Sequence, residues 1–595
     1  MTEKLDHSRR TLVKLLSNAP LLPLAGGGAT AALLSACGGG SNDTASPTAQ
    51  RLASTLASTT ATSATYTYPG LDPNFDTAIA GLNLVEDMTF GSSAVASGSA
   101  VGVAITSLTD LATLFYPLQG VFNATGGHIS GTGPTVINNE VQRYATTFNA
   151  QNHVFETDGL RLQPVLSAGE FNSYLRGTIN YSTGNGFTAG AEGVSTPTLL
   201  ADIGLTATDL ASIEIGTCVT SASYGIAVVV AKDASAGTIT FEAVTGGTKT
   251  AYKSNWHLTF TKFAFSRVAA DVVNGTTTTI QFKTPVASSV VAGMYSLGVN
   301  CGTTYAYDFH AYDRAKVLSI SADRLSVTFD KPVHYGASTL KVLSSTGTTT
   351  GDGVLFVPGL SSGEIWSKRG YGPQLSGHQA QAVQVEITMP SLPQFGGGAY
   401  YNKAQVEGAM ATYAGTTWGY WPAVWMYNFK PAGDVTGYAL TGSEVDMLEL
   451  FTHMWGGQST WTGYLHTQTY TRQVAMQSGS TTIARNGGTW KTSTASGSLQ
   501  TANAAQLLMP TPIASGTRRT ISVIWTRDKI IHYLDGVPVC ESNWAVDTSY
   551  PHQLGINVAC GSLSNSYAAA LFFPQTNAHA TGQFLKIHSI KTWEL

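Results

Sequence analysis

The chain has 595 residues, 11% of them charged, with a formal net charge of -4 and 63 glycines. That length exceeds what one compact core accommodates, so two or more domains are expected. No block of Lys and Arg occurs beyond the N-terminus, which argues against a nucleic-acid partner, and a surface poor in charge but rich in Gly, Ser and Thr suits a β-rich exported chain facing a neutral, hydroxyl-rich partner.

In chain order, the first feature is Ser8-Arg9-Arg10-Thr11-Leu12-Val13-Lys14, which resembles a twin-arginine export signal with Leu12 where Phe is common. The apolar stretch Leu15 to Ala36 is broken by Pro20, Pro23 and Gly26 to Gly28 and makes a poor membrane-spanning helix. It closes on Leu34-Ser35-Ala36-Cys37, which resembles a lipoprotein box. In such signals the cysteine is lipidated and becomes the new N-terminus. Residues 1–37 are therefore read as an export signal with a lipid anchor at Cys37, giving a membrane-attached protein facing the periplasm or cell surface. An ordinary signal peptide is the alternative. Residues 38–81 read as a flexible tether, because Gly38 to Pro69 has almost no large apolar residues to offset its ordering entropy.

From Leu82 the pattern changes to short apolar and aromatic runs separated by Gly, Asn, Asp and Pro, as in the short strands of a sandwich or barrel. Ala104 to Phe115 is one of few credible short helices, with Thr109-Asp110 near its start. The section 171–359 reads as β throughout, with strands over 224–230, 238–244, 257–265, 277–282 and 325–329, and carries no catalytic constellation. Towards the C-terminus, Thr520 to Trp525 and Ile530 to Leu534 read as strands, Asp535-Gly536 as a tight turn and Phe584 to Trp593 as a last strand. With Cys37 set aside, Cys218, Cys301, Cys540 and Cys560 remain. Two bridges, Cys218–Cys301 and Cys540–Cys560, and four buried thiols are equal alternatives.

The segment Glu444-Val445-Asp446-Met447-Leu448-Glu449 holds three acids in six positions. On a strand, Glu444 and Asp446 share a face while Val445 and Met447 face the other way; strict alternation puts Glu449 with the apolar pair. One extra residue, a β-bulge between Asp446 and Glu449, brings all three acids to one side and leaves the core contacts on the other. Paired carboxyls on one face are what glycoside hydrolysis requires. Crowding keeps one of them protonated, as an acid role demands. The alternative is a solvated face carrying three mutually repelling charges.

The same hexapeptide looks like the E-x-D-x-x-E signature of family 16 of the glycoside hydrolases, the laminarinase-like group. Further pieces resemble the family in order: Ile137 to Tyr144 its N-N-E-x-Q-x-Y segment, and Val154 to Leu162 the following strand pair. Ser362 to Lys368 resembles S-G-x-[IL]-x-[ST]-K, and Val385 to Pro390 a core strand. Trp421 to Met426 resembles W-P-A-x-W-L, and Gly463 to His466 a G-x-x-H strand. The resemblance covers about 82–170 and 360–595 and implies an all-β, concanavalin-like β-sandwich (jelly roll), interrupted by an inserted β-rich domain over 171–359. The insert is read as a carbohydrate-binding accessory, a lid over one end of the cleft, or a spacer.

The resemblance implies a retaining endo-acting hydrolase of a β-linked glucan or galactan, with Glu444 as nucleophile, Asp446 as its helper and Glu449 as acid/base. A polysaccharide is then the partner of an expected monomer. Trp421 and Trp425, four positions apart and so on one face of a strand, and Trp366 are candidate sugar platforms, each with core packing as the alternative. Trp455, Trp461 and His466 are candidates around the same cleft, and Asn138 and Glu140 by resemblance alone. The family often holds a structural calcium through an Asp in its last strand; Gln583 to His588 contains no acid, so that ligand is missing here. No metal or cofactor is expected in catalysis. A transglycosylase using the same residues and a non-catalytic lectin-like protein are the competing readings.

Overall fold

The computed structural model describes residues 73–595 except 118–141, 170–174, 179–188, 222–224, 245–256, 300–314, 334–338, 343–350, 373–379, 392–398, 401–419, 429–443, 457–462, 475–480, 485–488, 491–506, 509–513, 544–551, 561–576 and a few isolated positions. Along some strands, including 451–456 and 463–474, the backbone alone is described. The expected export signal, Cys37 and most of the expected tether lie outside the described residues. The tether expected to run to residue 81 ends earlier. Asn74 caps a short helix, Phe75–Ala78, and Phe75 is buried edge-on against Tyr533 and Trp593.

Seven strands form one face of a sandwich: β1 (Phe115–Tyr116), β2 (Glu364–Tyr371), β3 (Ala399–Tyr400), β4 (Tyr420–Asn428), β5 (Glu444–Gly456), β6 (Gly463–Val474) and β7 (His552–Cys560). Their spatial order is β3-β6-β5-β4-β7-β2-β1. A ten-stranded sheet packs against them. Its central strands, Ala380–Thr388, Arg518–Thr526 and Leu585–Glu594, pair antiparallel over eight or more residues. Alternation decides which side chains meet between the layers. Tyr420, Val424 and Met426 of β4, and Leu554, Ile556 and Val558 of β7, join Val383, Val385, Ile521, Val523 and Ile590 of the facing sheet in one buried core. The fold is thus an all-β sandwich.

A separate twelve-stranded sheet contains only strands between Leu175 and Val357. It meets the sandwich at a three-stranded junction, in which Leu360–Ser362 pairs with Val165–Leu166 on one side and Arg143–Tyr144 on the other. A shared apolar cluster spans the junction. Leu166, Leu360, Cys560 and Ala580 pack with Val228, Phe263, Phe265, Leu355 and Val357.

Two expectations change in detail. The helix expected over 104–115 is Leu108–Leu114, and Gly102–Ile105 is instead a strand running parallel to Asn83–Phe90. Ser107 sets the start by accepting from Asp110 N at 3.2 Å, while the Asp110 carboxylate accepts from Thr106 N at 3.0 Å. Together these two bonds fix the helix start and outweigh the helical reading of the residues before it. For the cysteines, Cys218 and Cys560 are both buried thiols, so the two-bridge alternative does not hold for them. Cys301 and the Cys540 side chain lie outside the described residues. Among the described residues no helix is long and apolar enough to cross a membrane.

Candidate active site

Strand β5 carries the acid cluster, and its pairing contains the bulge that the cluster requires. Against β4, Glu444, Asp446 and Glu449 stand opposite Tyr427, Trp425 and Ala423. Against β6 they stand opposite Val474, Arg472 and Tyr470. Both ladders slip by one residue between Asp446 and Glu449. The three acids therefore occupy alternate positions of one register despite their uneven spacing in sequence. The other parity carries Val445, Met447, Leu448 and Leu450, all in the sandwich core. The Asp446 side chain is buried, at 2% exposure. The side chains of Glu444 and Glu449 lie outside the described residues.

The rows crossing the sheet from these acids define the surroundings. From Asp446 the row passes through Trp425 on β4 and Gly555 on β7 to Trp366 on β2. From Glu449 it passes through Ala423 and Asn557 to Glu364. All of these positions have the parity opposite to the core residues of their strands. Trp366 and Trp425 meet edge to face with centroids 4.8 Å apart, and Trp366 Nε1 donates to Glu364 Oε2 at 3.1 Å. Trp425 Nε1 donates to Asn557 Oδ1 at 2.8 Å, and Asn557 Nδ2 donates to the Tyr144 hydroxyl at 2.8 Å. His153 backs this wall, with Nε2 3.0 Å from the Glu364 carbonyl oxygen. Asn149 N donates to His153 Nδ1, so Nε2 carries the proton in the neutral ring. Burial lowers the His153 pKa to about 4.

The tryptophan candidates sit as their alternation requires. Trp421 and Trp425 share the non-core face of β4 and are 3% and 6% exposed. Trp366 is fully buried under Trp425, so in this conformation it supports the neighbouring ring and offers no open face to a sugar. His466 stands opposite His453, four residues along β5 from Glu449, or about 13 Å. Trp455 stands opposite Tyr464 further along the same strand. The side chains of His466 and Trp455 lie outside the described residues, as do Asn138, Glu140 and Trp461 altogether.

The sequence reading assigns no site role to four residues around this face: Gly555, Asn557, Tyr144 and Glu364. The run Leu554-Gly555-Ile556-Asn557-Val558-Ala559 carried a usable signal. Its large apolar side chains alternate with small or polar ones, as on a strand whose second face is close to something other than the core.

Beside the last strand the nearest carboxylates are paired with cationic side chains. There Lys586 Nζ lies 2.8 Å from Glu156 and 3.1 Å from Asp158, and Arg518 lies 2.9 Å from Asp158. The Arg518 and Lys586 hydrogen bonds hold the Asp158 pKa down at about 2. Ammonium and guanidinium groups thus neutralise these two carboxylates. Among the described residues no cluster of His, Cys, Asp or Glu suited to a metal ion occurs.

No protein-family profile matches the chain, and no curated protein matches it. Similar solved structures include a glycoside hydrolase family 16 endo-glucanase from Bacteroides ovatus, 15% identical over 39% of this chain and 75% of that one, with a TM-score of 0.22. The endo-beta-1,3-glucanase from Pyrococcus furiosus is 16% identical over 41% of this chain and 69% of its own, with a TM-score of 0.23. The laminarinase catalytic domain from Thermotoga maritima is 16% identical over 42% and 73%, with a TM-score of 0.22.

Proposed function

We propose that the protein is a retaining, endo-acting glycoside hydrolase that cleaves a β-linked glucan or galactan by double displacement. Glu444 is the nucleophile, Asp446 its helper and Glu449 the acid/base. The observation that carries this reading is the one-residue slip in both ladders of β5, which places three acids at successive same-face positions. Two such steps of about 6.7 Å put the Cα atoms of Glu444 and Glu449 about 13 Å apart. A retaining pair needs its carboxyls roughly 5–5.5 Å apart, a separation that two glutamate side chains are long enough to reach from Cα atoms at this spacing.

In this reading Glu449 protonates the glycosidic oxygen as Glu444 attacks the anomeric carbon. A covalent glycosyl-enzyme forms, and Glu449 then takes a proton from the water that releases it. The negative charge of Asp446 and Glu444 favours the protonated form of Glu449 at the start of the cycle. Trp425, opposite Asp446, provides the aromatic wall beside the reacting sugar. No metal or cofactor takes part. Export through the twin-arginine-like signal and anchoring at Cys37 place the enzyme where polymeric substrate is available.

The test is release of new reducing ends from laminarin, lichenan, agarose, carrageenan and xyloglucan by the purified mature chain. Cleavage of at least one polymer with retained anomeric configuration is expected, with Glu444→Gln at least about a thousandfold slower. Full activity in Glu444→Gln would sink the assignment. Inverted product would contradict the short carboxylate spacing, and binding without cleavage would favour the lectin-like reading.

A further inference from the structure

The sequence leaves the insert as an accessory, a lid or a spacer, and the junction separates these alternatives. The chain runs out of the sandwich along Val165–Leu166 and returns along Leu360–Ser362, and these two crossings are zipped together. Ser167 N donates to Gly359 O at 2.8 Å and Gly359 N to Ala168 O at 2.8 Å. A Cβ on Gly359 would come within 2.4 Å of Gly293 O, so the returning chain lies hard against the insert's own backbone. Paired crossings over a shared apolar cluster leave no hinge at this point.

The third strand of the junction has one residue on each side of the boundary. Arg143 and Tyr144 are adjacent, so their side chains leave the strand in opposite directions. The Arg143 guanidinium lies over the ring of Tyr295, an insert residue, at 5.6 Å from its centroid. The Tyr144 hydroxyl accepts from Asn557, which accepts from the indole of Trp425. A continuous line of contacts therefore runs from the insert to the residue paired with Asp446.

We infer that the insert is a fixed buttress behind the active centre and that Tyr144 and Asn557 are positioning residues, through which it holds Trp425 in register with the acid cluster. This rests on the hydrolase reading of that site. Asn557 suits the role because its two ends differ: the carbonyl accepts the indole proton and the amide donates to the tyrosine, which fixes both partners and the amide's own orientation. Tyr144 and Asn557 are each 6% exposed, so water does not readily replace a lost bond.

The test uses the full mature chain and the variants Asn557→Ala, Asn557→Asp, Tyr144→Phe and Tyr295→Leu. Misplacing the wall beside the reacting sugar is expected to lower kcat by about 10- to 100-fold in Asn557→Ala, with KM changed less than about threefold. Asn557→Asp keeps the acceptor for the indole and should recover part of that loss. Tyr144→Phe should lose several-fold in kcat. Unchanged kcat in both Asn557→Ala and Tyr144→Phe, or a loss that only tracks the folded fraction, overturns the role.

A second readout does not depend on catalysis. In 15N-tryptophan-labelled protein, the Trp425 indole N–H, assigned with Trp425→Phe, should exchange with solvent faster in Asn557→Ala. It should also exchange faster in Tyr295→Leu, whose substitution lies outside the sandwich. Wild-type exchange in Tyr295→Leu removes the insert from the proposal. If the wild type cleaves no polymer, the hydrolase reading fails, and the exchange measurement still decides whether the line of contacts exists.

Discussion

Gly555→Ala tests the packing of the candidate site at its tightest point. A Cβ built on Gly555 lies 2.4, 2.5 and 2.7 Å from three carbons of the Trp366 ring. Carbon atoms rest about 3.5–4.0 Å apart, so the ring must retreat by roughly 1 Å or more. It has little room to do so: it is fully buried, its edge abuts Trp425, and its Nε1 is held by Glu364 at 3.1 Å. Overpacking of this kind costs about 1–3 kcal/mol, and the upper part of that range applies where two rings must move together. The measurement is urea unfolding followed by circular dichroism, with each variant fitted to its own folded and unfolded baselines because loss of an indole changes the signal itself. Trp366→Leu is itself destabilising, because it opens a cavity and leaves Glu364 without its indole donor. In the double variant, however, the new methyl occupies space the ring has vacated, so the two costs should fall short of additivity by about 1–3 kcal/mol. A Gly555→Ala protein within about 0.5 kcal/mol of the parent, or strictly additive costs, would refute the packing argument.

The sandwich should be acid-labile. Burial lowers His153 to about 4 and His532 and His552 to about 3, from 6.5, so the folded state keeps all three neutral while the unfolded chain protonates them. Their contribution is fully present above pH 6.5 and is lost as pH falls towards the folded values; at pH 5 each costs about 2 kcal/mol relative to pH 7.5. Urea midpoints across pH 7.5–4.5 should show the slope, and His532→Phe should flatten it; a flat profile in the parent would contradict the burial. Arg369 lies between two carboxylates, Glu594 and Glu86, and burial raises the Glu86 pKa despite the Tyr371 and Thr592 hydrogen bonds. Arg369→Met leaves both acids without their cation and should cost about 3–5 kcal/mol at pH 7, measured by the same unfolding assay, with partial recovery in Arg369→Met/Glu594→Gln.

What could be read from the sequence was whatever local pattern determines. Thr520 to Leu534 alternates in two runs, and the pairing of Arg518–Thr526 with Ile530–Leu534 follows it. Asp535-Gly536 turns the next hairpin with φ of 49° and 78°, the two positive values a tight two-residue turn demands and that Asp and Gly tolerate best. The bulge in β5 was legible for a sharper reason: three acids and four apolar residues could be sorted onto two faces only by adding a residue. What stayed hidden depends on distant partners. Phe75 sits in a polar stretch and reads as tether until Tyr533 and Trp593 close around it. Tyr144 and Asn557 lie 413 residues apart, so neither neighbourhood announces their bond. Gly555 reads as a weak strand residue unless the ring that crosses it is known.

The position of the insert has a thermodynamic logic of its own. Ser167 and Gly359 are 192 residues apart in sequence and still share hydrogen bonds. Lengthening a short loop of about six residues to that size is roughly five doublings, or about 3 kcal/mol of closure entropy. The paired crossings hold the ends of the excursion where a short loop would have held them, so the sandwich needs no rearrangement to accept it. The closure cost is then offset at the junction, where Leu166 and Leu360 pack against Phe263, Phe265 and Val357, each fully buried leucine contributing about 1.5–3 kcal/mol. A spacer would need none of this burial and a lid would be hindered by it. The same contacts that make the insertion cheap therefore make it rigid, and rigidity is what a buttress acting on Trp425 through Tyr144 and Asn557 requires.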